Sequence, residues 1–240
     1  MESTETRVQS WGLQSLQAVW FTQSQLPDVA AVFTAATGAK PDNVQQPSIG
    51  LSLATGSDGK HQFHCQAVPG RTDFFKFSIP GQGVPLDFEV SSCLADFEAG
   101  ILRAGDVVGP ANRLALVSNL LREVGDQAEA SDIIAKLVGW PVPFPDAQDL
   151  NIQVNRRARL STGTSVNRLV RWFYQSLQEV VVGAVPAVKM RDFAALALDI
   201  NTVPSELPAT FNSAEQALIW KSICEESNRL LADRSLSSLK

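Results

Sequence analysis

The sequence predicts an α+β fold made of two pseudo-repeated lobes, each ordered β-α-β-β-β-α, with antiparallel sheets covered by helices. Short apolar segments of period two indicate strands, and longer segments with apolar residues at helical spacing indicate helices. The order restarts after the segment GDVVGP at 105–110, so we place the lobes at residues 1–108 and 109–240. Hydrophobic residues make up 45% of the 240 residues and charged residues 19%, as in ordinary globular proteins.

The first half begins with an alternating strand, LQSLQAVWFT, followed by a helix. Pro27 suits a first helical turn, apolar residues recur at helical spacing from Val29 to Ala36, and Gly38 ends the helix. Glycine-containing turns at 55–59 and 69–70 separate three later strands. The predicted strands of this half cover residues 13–22, 49–54, 61–68 and 71–79, and a second helix covers 87–104.

The second half repeats this order with a longer hairpin. A short helix at 129–138 ends at Gly139, and a Pro-rich loop at 140–149 precedes the hairpin. Asn212 and Glu215 form a capping-box pattern that starts a final helix ending near Leu231. The predicted strands of this half cover residues 112–124, 150–160, 166–181 and 192–200, of which the last is apolar enough to be central in a sheet.

Corresponding elements of the two halves lie about a hundred residues apart, as between Leu13 and Asn112 or between Ile49 and Leu150. Sequence identity between the halves is negligible. An internal duplication and a chance recurrence of a common α+β order both explain the pattern. A duplication would place two like lobes against each other or along shared sheet edges.

The segment from Leu150 to Gln178 carries five arginines and neither an acid nor a lysine, although the whole chain has a net charge of -5. Strand alternation places Arg157 and Arg159 on one face of this hairpin and Arg156 on the other. At least one arginine should therefore lie against the apolar side and need an acid or carbonyl partner. The candidate partner- or anion-binding residues are Arg157, Arg159, Arg168, Arg171, Trp172 and Tyr174.

Three interpretations of this hairpin remain open. It is an ordinary solvated face paired with acids of the first half, a protein interface, or a platform for single-stranded nucleic acid. The pI near 5.1 argues against general affinity for nucleic acids, because that affinity depends on neutralising phosphates. The uneven distribution of arginines favours a specific protein contact over a general anion trap.

Two segments, NRLALVSN at Asn112–Asn119 and LALDIN at Leu196–Asn201, resemble a sporadically distributed bacterial family of uncharacterised proteins of about this length. The resemblance extends over most of the chain as a pattern of elements. It implies an α+β fold and a cytoplasmic bacterial protein. The family provides no established activity or catalytic residues to carry over.

No catalytic or cofactor motif is present. The sequence has no GxSxG elbow, no Walker loop and no dinucleotide fingerprint, and Gly81-Gln82-Gly83 is too short to hold a phosphate. The two histidines occur in His61-Gln62-Phe63-His64-Cys65, where alternation divides them between two faces. Because a zinc site needs converging ligands and no other segment supplies a histidine or a CxxC pair, we expect no metal and no cofactor. Cys65 is expected in the core.

Carboxylates are the remaining candidates for catalysis. Asp199 ends an apolar strand, where burial would raise its pKa, and Asp73 adjoins Phe74 and Phe75 in a similar setting. A paired-acid mechanism requires a partner that the sequence does not place. The structural alternative is that Asp199 and Asn201 begin a turn and bond to nearby backbone.

The three cysteines, Cys65, Cys93 and Cys224, are odd in number and far apart, which favours free thiols in a reducing compartment. The polar, acidic start and the short apolar runs predict no signal peptide and no membrane span. We therefore expect a non-catalytic cytoplasmic protein that acts through protein–protein interaction, including self-association. The alternatives are single-strand nucleic-acid binding through the hairpin 150–178 and an enzyme that uses carboxylates only.

Overall fold

The computed structural model describes residues 10–23, 26–78, 86–140, 149–181, 187–204 and 210–240. These residues form nine strands, four α-helices and one short 3₁₀ helix. The strands are β1 Gly12–Thr22, β2 Asn43–Ser48, β3 Leu51–Ser57, β4 His61–Val68, β5 Arg71–Ser78, β6 Ala111–Val124, β7 Asn151–Arg159, β8 Ser165–Val181 and β9 Ala187–Thr202. The helices are α1 Val29–Thr37, α2 Val90–Val108, α3 Gln127–Val138 and α4 Ser213–Asp233, followed by the 3₁₀ helix Leu236–Leu239.

All nine strands belong to one antiparallel sheet with the order β2-β3-β4-β5-β1-β6-β9-β8-β7. The prediction of an α+β fold with antiparallel strands is therefore confirmed. β1 and β6 pair at the centre of the sheet, where Val19 lies opposite Ala115. The predicted lobe boundary at 108/109 falls between α2 and β6, and the sheet is continuous across it.

The helices pack on one face of the sheet, as contacts between aromatic side chains of the strands and of the helices show. Phe74 of β5 contacts α1 through Phe33 and α2 through Phe97, with ring centroids 6.4 and 5.6 Å apart. Trp20 of β1 meets Trp220 of α4 edge to face at 5.3 Å. The other face, which we call the open face, carries a separate small cluster formed by Leu121, Phe193 and Ala195.

The helix ends follow from local sequence. The Asp28 carboxylate accepts hydrogen bonds from the backbone N–H groups of Ala30 and Ala31 in the first turn of α1, and Gly38 ends that helix at φ 77°. The predicted capping box of α4 is confirmed, because the side chains of Asn212 and Glu215 each accept a hydrogen bond from the other's backbone N–H.

Several predicted boundaries are wrong for identifiable reasons. α2 continues past Ala104 to Val108, because buried Ala104, Gly105 and Val108 extend its core stripe and the helix ends only at Gly109. β9 begins at Ala187 rather than Asp192, and its added residues Val188, Lys189 and Met190 are exposed, so they form no buried stripe. The third strand begins at Leu51, because the preceding residues form a turn.

β2 was not predicted from the sequence. Each of its residues is exposed and it contains Pro47, so it shows no apolar alternation. The predicted Pro-rich loop at 140–149 and the segment at 81–83 lie wholly or mostly outside the described residues. Within the described part of the chain, no helix is long and apolar enough to cross a membrane.

Candidate functional site

The predicted arginine hairpin forms one end of the sheet. β7 pairs with β8 in the register Ile152↔Trp172 and Arg157↔Asn167, and no described strand pairs with its other edge. Gly163 closes the hairpin turn at φ 83°. β7 is therefore an edge strand, and the backbone groups along its outer side are not used by the sheet.

Arg168 lies on the helix-covered face and its side chain is only 7% exposed. Its Nη1 donates to Glu226 Oε1 of α4 at 3.0 Å, and its Nη2 donates to the carbonyl oxygen of Leu239 at 2.7 Å. This confirms that one hairpin arginine is buried against the apolar side with an acid and a carbonyl as partners. Arg156 lies directly opposite Arg168 in the register, with its own side chain exposed.

Trp172 and Tyr174 also lie on the helix-covered face. Trp172 is fully buried and its Nε1 donates to the carbonyl oxygen of Arg234 at 2.9 Å. The Tyr174 hydroxyl donates to Asp192 Oδ1 at 2.6 Å, a hydrogen bond that together with burial raises the pKa of the phenol. The structure therefore does not bring these rings to the face that carries Arg157.

Arg171 is on the open face, where its guanidinium carbon lies 4.4 Å from the ring centroid of Phe173. A second arginine–aromatic group occurs on the same face at the centre of the sheet, on the adjacent strands β5, β1 and β6. There the guanidinium carbons of Arg71 and Arg113 lie 5.5 and 4.9 Å from the ring centroid of Phe21. These geometries are those of cation–π contacts within the protein itself.

Arg156, Arg157 and Arg159 are exposed, and within the described residues none of them forms an ion pair. A cavity of about 670 Å³ lies between this part of the hairpin and α4. The residues that line it include the cationic Arg157, Arg159, Arg168, Arg229 and Lys240 and the acidic Glu225 and Glu226.

Glu226 contacts two of these cations, Arg168 at 3.0 Å and Arg229 at 2.7 Å. Burial acts to raise the pKa of the Glu226 carboxyl, but the hydrogen bonds and charges of the two arginines outweigh it and hold that pKa below its ordinary value. The charge of this glutamate is thus already compensated inside the protein. Arg157 and Arg159 have no such acidic partner among the described residues.

A second arrangement was not predicted. His61, Asp87 and Cys93 are all buried, and one ligand atom from each lies within 4.8 Å of the others. His61 Nε2 is 3.1 Å from Asp87 Oδ2, and His61 Nδ1 is 3.3 Å from Asp58 Oδ2. Sequence spacing could not reveal this group because β4, the segment before α2 and α2 itself each supply one member.

The predicted carboxylates lie on the open face and have protein partners. Burial raises the pKa of Asp199, as predicted, against the hydrogen bond that it accepts from Asn201 Nδ2 at 2.9 Å. The alternative that these two residues begin a turn is wrong, because β9 continues through Thr202. Asp73 is buried and accepts hydrogen bonds from Arg71 and Gln17.

The fold and this site define an α+β protein with a nine-stranded antiparallel sheet whose terminal strand is strongly basic. Comparison with protein-family models, with curated proteins and with solved structures finds no match. The bacterial family suggested by the segments at Asn112 and Leu196 stays a prediction.

Proposed function

We propose that this protein acts by binding another protein, and that β7 receives an extended acidic segment of that partner. The observation that supports this proposal is the presence of Arg156, Arg157 and Arg159, without ion-pair partners among the described residues, on a free sheet edge. The adjoining cavity is lined by three further cations, Arg168, Arg229 and Lys240, and by two acids, Glu225 and Glu226. The remaining predicted candidates, Arg168, Arg171, Trp172 and Tyr174, hold the hairpin in place.

A free edge strand binds a peptide by extending the sheet, with main-chain hydrogen bonds giving affinity and alternate side chains giving specificity. The two edges of this sheet differ in their capacity to do so. β2 contains Pro47, which cannot donate a ladder hydrogen bond, whereas β7 has no proline. Arg157 and Arg159 lie two residues apart on the open face, so acids at alternate positions of an added strand would meet both of them.

Charge favours an acidic partner over a second copy of the chain at this edge. β7 contains three arginines and no acid, so pairing two copies would bring six arginines together without compensation. An acidic segment would instead form ion pairs. Among the described residues no exposed ring lies beside Arg157, because Trp172 and Tyr174 point into the helix-covered side, and this also favours a peptide over a single-stranded nucleic acid.

The test measures fluorescence anisotropy of a labelled peptide of alternating threonine and glutamate, with the matching threonine–glutamine peptide as control. We expect binding of the glutamate peptide only, weakening as salt is added. The double variant Arg157→Gln with Arg159→Gln should bind about tenfold more weakly, from two exposed ion pairs of ordinary strength. Arg171→Gln is the matched control and should leave binding unchanged, because that arginine contacts Phe173.

Equal binding of both peptides, or an unchanged affinity of the double variant, would overturn this proposal. Retention of oligo-dT that is lost in the double variant, without peptide binding, would instead establish the nucleic-acid alternative. Light scattering after size exclusion tests self-association. A dimer that dissociates when Arg157 and Arg159 are changed to glutamate would contradict the charge argument.

We infer that the two halves of the chain form a pseudo-repeat. In support, the strands outward from the central β1–β6 pair are β5, β4 and β3 on one side and β9, β8 and β7 on the other. β3 and β4 would then correspond to the arginine hairpin, yet they contain no arginine or lysine. The basic edge would thus be a specialisation of the second half.

A cytoplasmic location fits the three buried free thiols.

A further inference from the structure

We propose that His61, Asp87 and Cys93 form a binding site for zinc or a similar borderline divalent ion. The site lies in the first half of the chain and does not depend on the basic edge. Its ligand set combines an imidazole nitrogen, a carboxylate oxygen and a thiolate sulfur, which suits zinc rather than magnesium or calcium.

The three ligands are held by separate parts of the fold. His61 is the first residue of β4, and Cys93 lies in the first turn of α2. Asp87 is fixed by two backbone hydrogen bonds with Leu13 of β1, at 2.7 and 2.9 Å. Zinc ligands lie about 2.0–2.3 Å from the ion, so atoms within 4.8 Å of one another converge on a single ion with small side-chain movements.

The surrounding hydrogen bonds orient two of the ligands. Asp58 Oδ2 lies 3.3 Å from His61 Nδ1, which leaves Nε2 directed towards Asp87 and Cys93. Asp58 is itself held by the backbone N–H of Lys60 at 2.8 Å. The N–H of Glu89 donates to Asp87 Oδ1 at 2.9 Å, so Oδ2 remains for an ion. A carboxylate that fixes the far nitrogen of a histidine is the usual outer shell of protein zinc sites.

The charges around the site accommodate a divalent ion. Lys60 Nζ lies 3.4 Å from Asp87 Oδ2, and because the lysine side chain is 71% exposed it can turn away into solvent. Lys76 is buried with Nζ 3.5 Å from the Cys93 carbonyl oxygen. Two acids, Asp58 and Asp87, balance these two lysines, and the Cys93 thiol loses its proton on binding. The loaded site would carry one net positive charge.

A cavity of about 450 Å³ adjoins the site and is lined in part by Asp58, His61 and Lys76. It provides access for the ion and room for a water molecule or another small ligand in the fourth position. Three protein ligands with one open position is the arrangement of reactive rather than purely structural zinc sites.

The test titrates the full-length protein with Co²⁺ and then measures Zn²⁺ affinity by competition with a chromophoric chelator. We expect one ion per chain and a thiolate-to-cobalt charge-transfer band in the near ultraviolet. Cys93→Ala should abolish the band and weaken zinc binding by at least about a hundredfold. The matched controls Cys65→Ala, Cys224→Ala and His64→Ala change the other thiols and the other histidine, and they should retain both the band and the affinity.

If Cys93→Ala does not fold, Asp58→Asn decides the question. It keeps the oxygen that accepts the Lys60 N–H but removes the charge facing His61, and it should weaken zinc binding by about 10- to 100-fold while the band remains. A wild-type protein without the band, a band that survives Cys93→Ala, or zinc affinity unchanged by Asp58→Asn would overturn the proposal.

Discussion

Replacing Glu226 by glutamine tests how Arg168 is stabilised beneath the hairpin. Arg168 and Glu226 have side chains that are 7% and 17% exposed, and their ion pair measures 3.0 Å. Removing one partner of a buried pair leaves an uncompensated charge and costs about 3–5 kcal/mol. Glutamine still offers an acceptor, and Arg168 still donates to the carbonyl oxygen of Leu239. We therefore predict that the free energy of unfolding falls by about 3 kcal/mol, near the lower end of this range.

Urea denaturation followed by circular dichroism measures this loss. Arg229→Gln is the matched control, since it removes the other partner of Glu226. Because the Arg229 side chain is 49% exposed, this change should cost less than about 1 kcal/mol. Combining Arg168→Met with Glu226→Gln should recover part of the stability, because no charge is then left buried. Equal losses for Glu226→Gln and Arg229→Gln would refute the argument from burial.

The same pair determines a pH dependence. Because its arginine partners lower the pKa of Glu226 below 4.5 in the folded state, the unfolded chain binds its proton first as the pH falls. The stabilisation is therefore fully present at pH values above the ordinary glutamate pKa. It is lost as the pH falls through the lowered pKa of Glu226. Glu226→Gln should remove this part of the acid sensitivity, whereas an unchanged stability profile below pH 4.5 would contradict the assignment.

Three further changes have defined outcomes. Asn212→Ala should cost about 1 kcal/mol in urea denaturation and Asn212→Gly only a few tenths, because the glycine tolerates the cap conformation. Trp220→Ala should cost about 3–5 kcal/mol by the same measurement, because it leaves a cavity against Trp20. Burial raises the pKa of Asp199, so the contribution of this residue to stability is lost as the pH rises through the raised pKa. Asp199→Asn should flatten that part of the dependence of stability on pH, measured by thermal unfolding.

Local patterns in the sequence predicted most elements correctly. Alternation identified β1, β4 and β6, because each has one face against the helices. Gly38 located the end of α1 and the capping box located the start of α4, because helix ends are decided within a few residues, whereas Pro27 lies before α1 and not in its first turn. The buried arginine of the hairpin was also predictable, since alternation requires some arginines to face the core.

The features that were missed depend on distant residues. β2 has no buried face, so its pairing with β3 leaves no hydrophobic pattern in the sequence. The convergence of His61 and Cys93 arises from the docking of α2 against the sheet. Trp172 and Tyr174 share a hairpin with Arg157. Only their hydrogen bonds to the Arg234 carbonyl oxygen and to Asp192 show that both side chains lie on the helix-covered face.

The central pairing of β1 with β6 has a consequence for the way in which the chain folds during synthesis. β1 leaves the ribosome long before β6, so the strands from β2 to β5 can assemble with β1 as an exposed outer strand. Most residues of β1 are buried in the finished sheet, and its unpaired backbone would meanwhile be open to other chains. Slow translation between residues 78 and 111 would prolong this exposure and should increase aggregation of nascent chains.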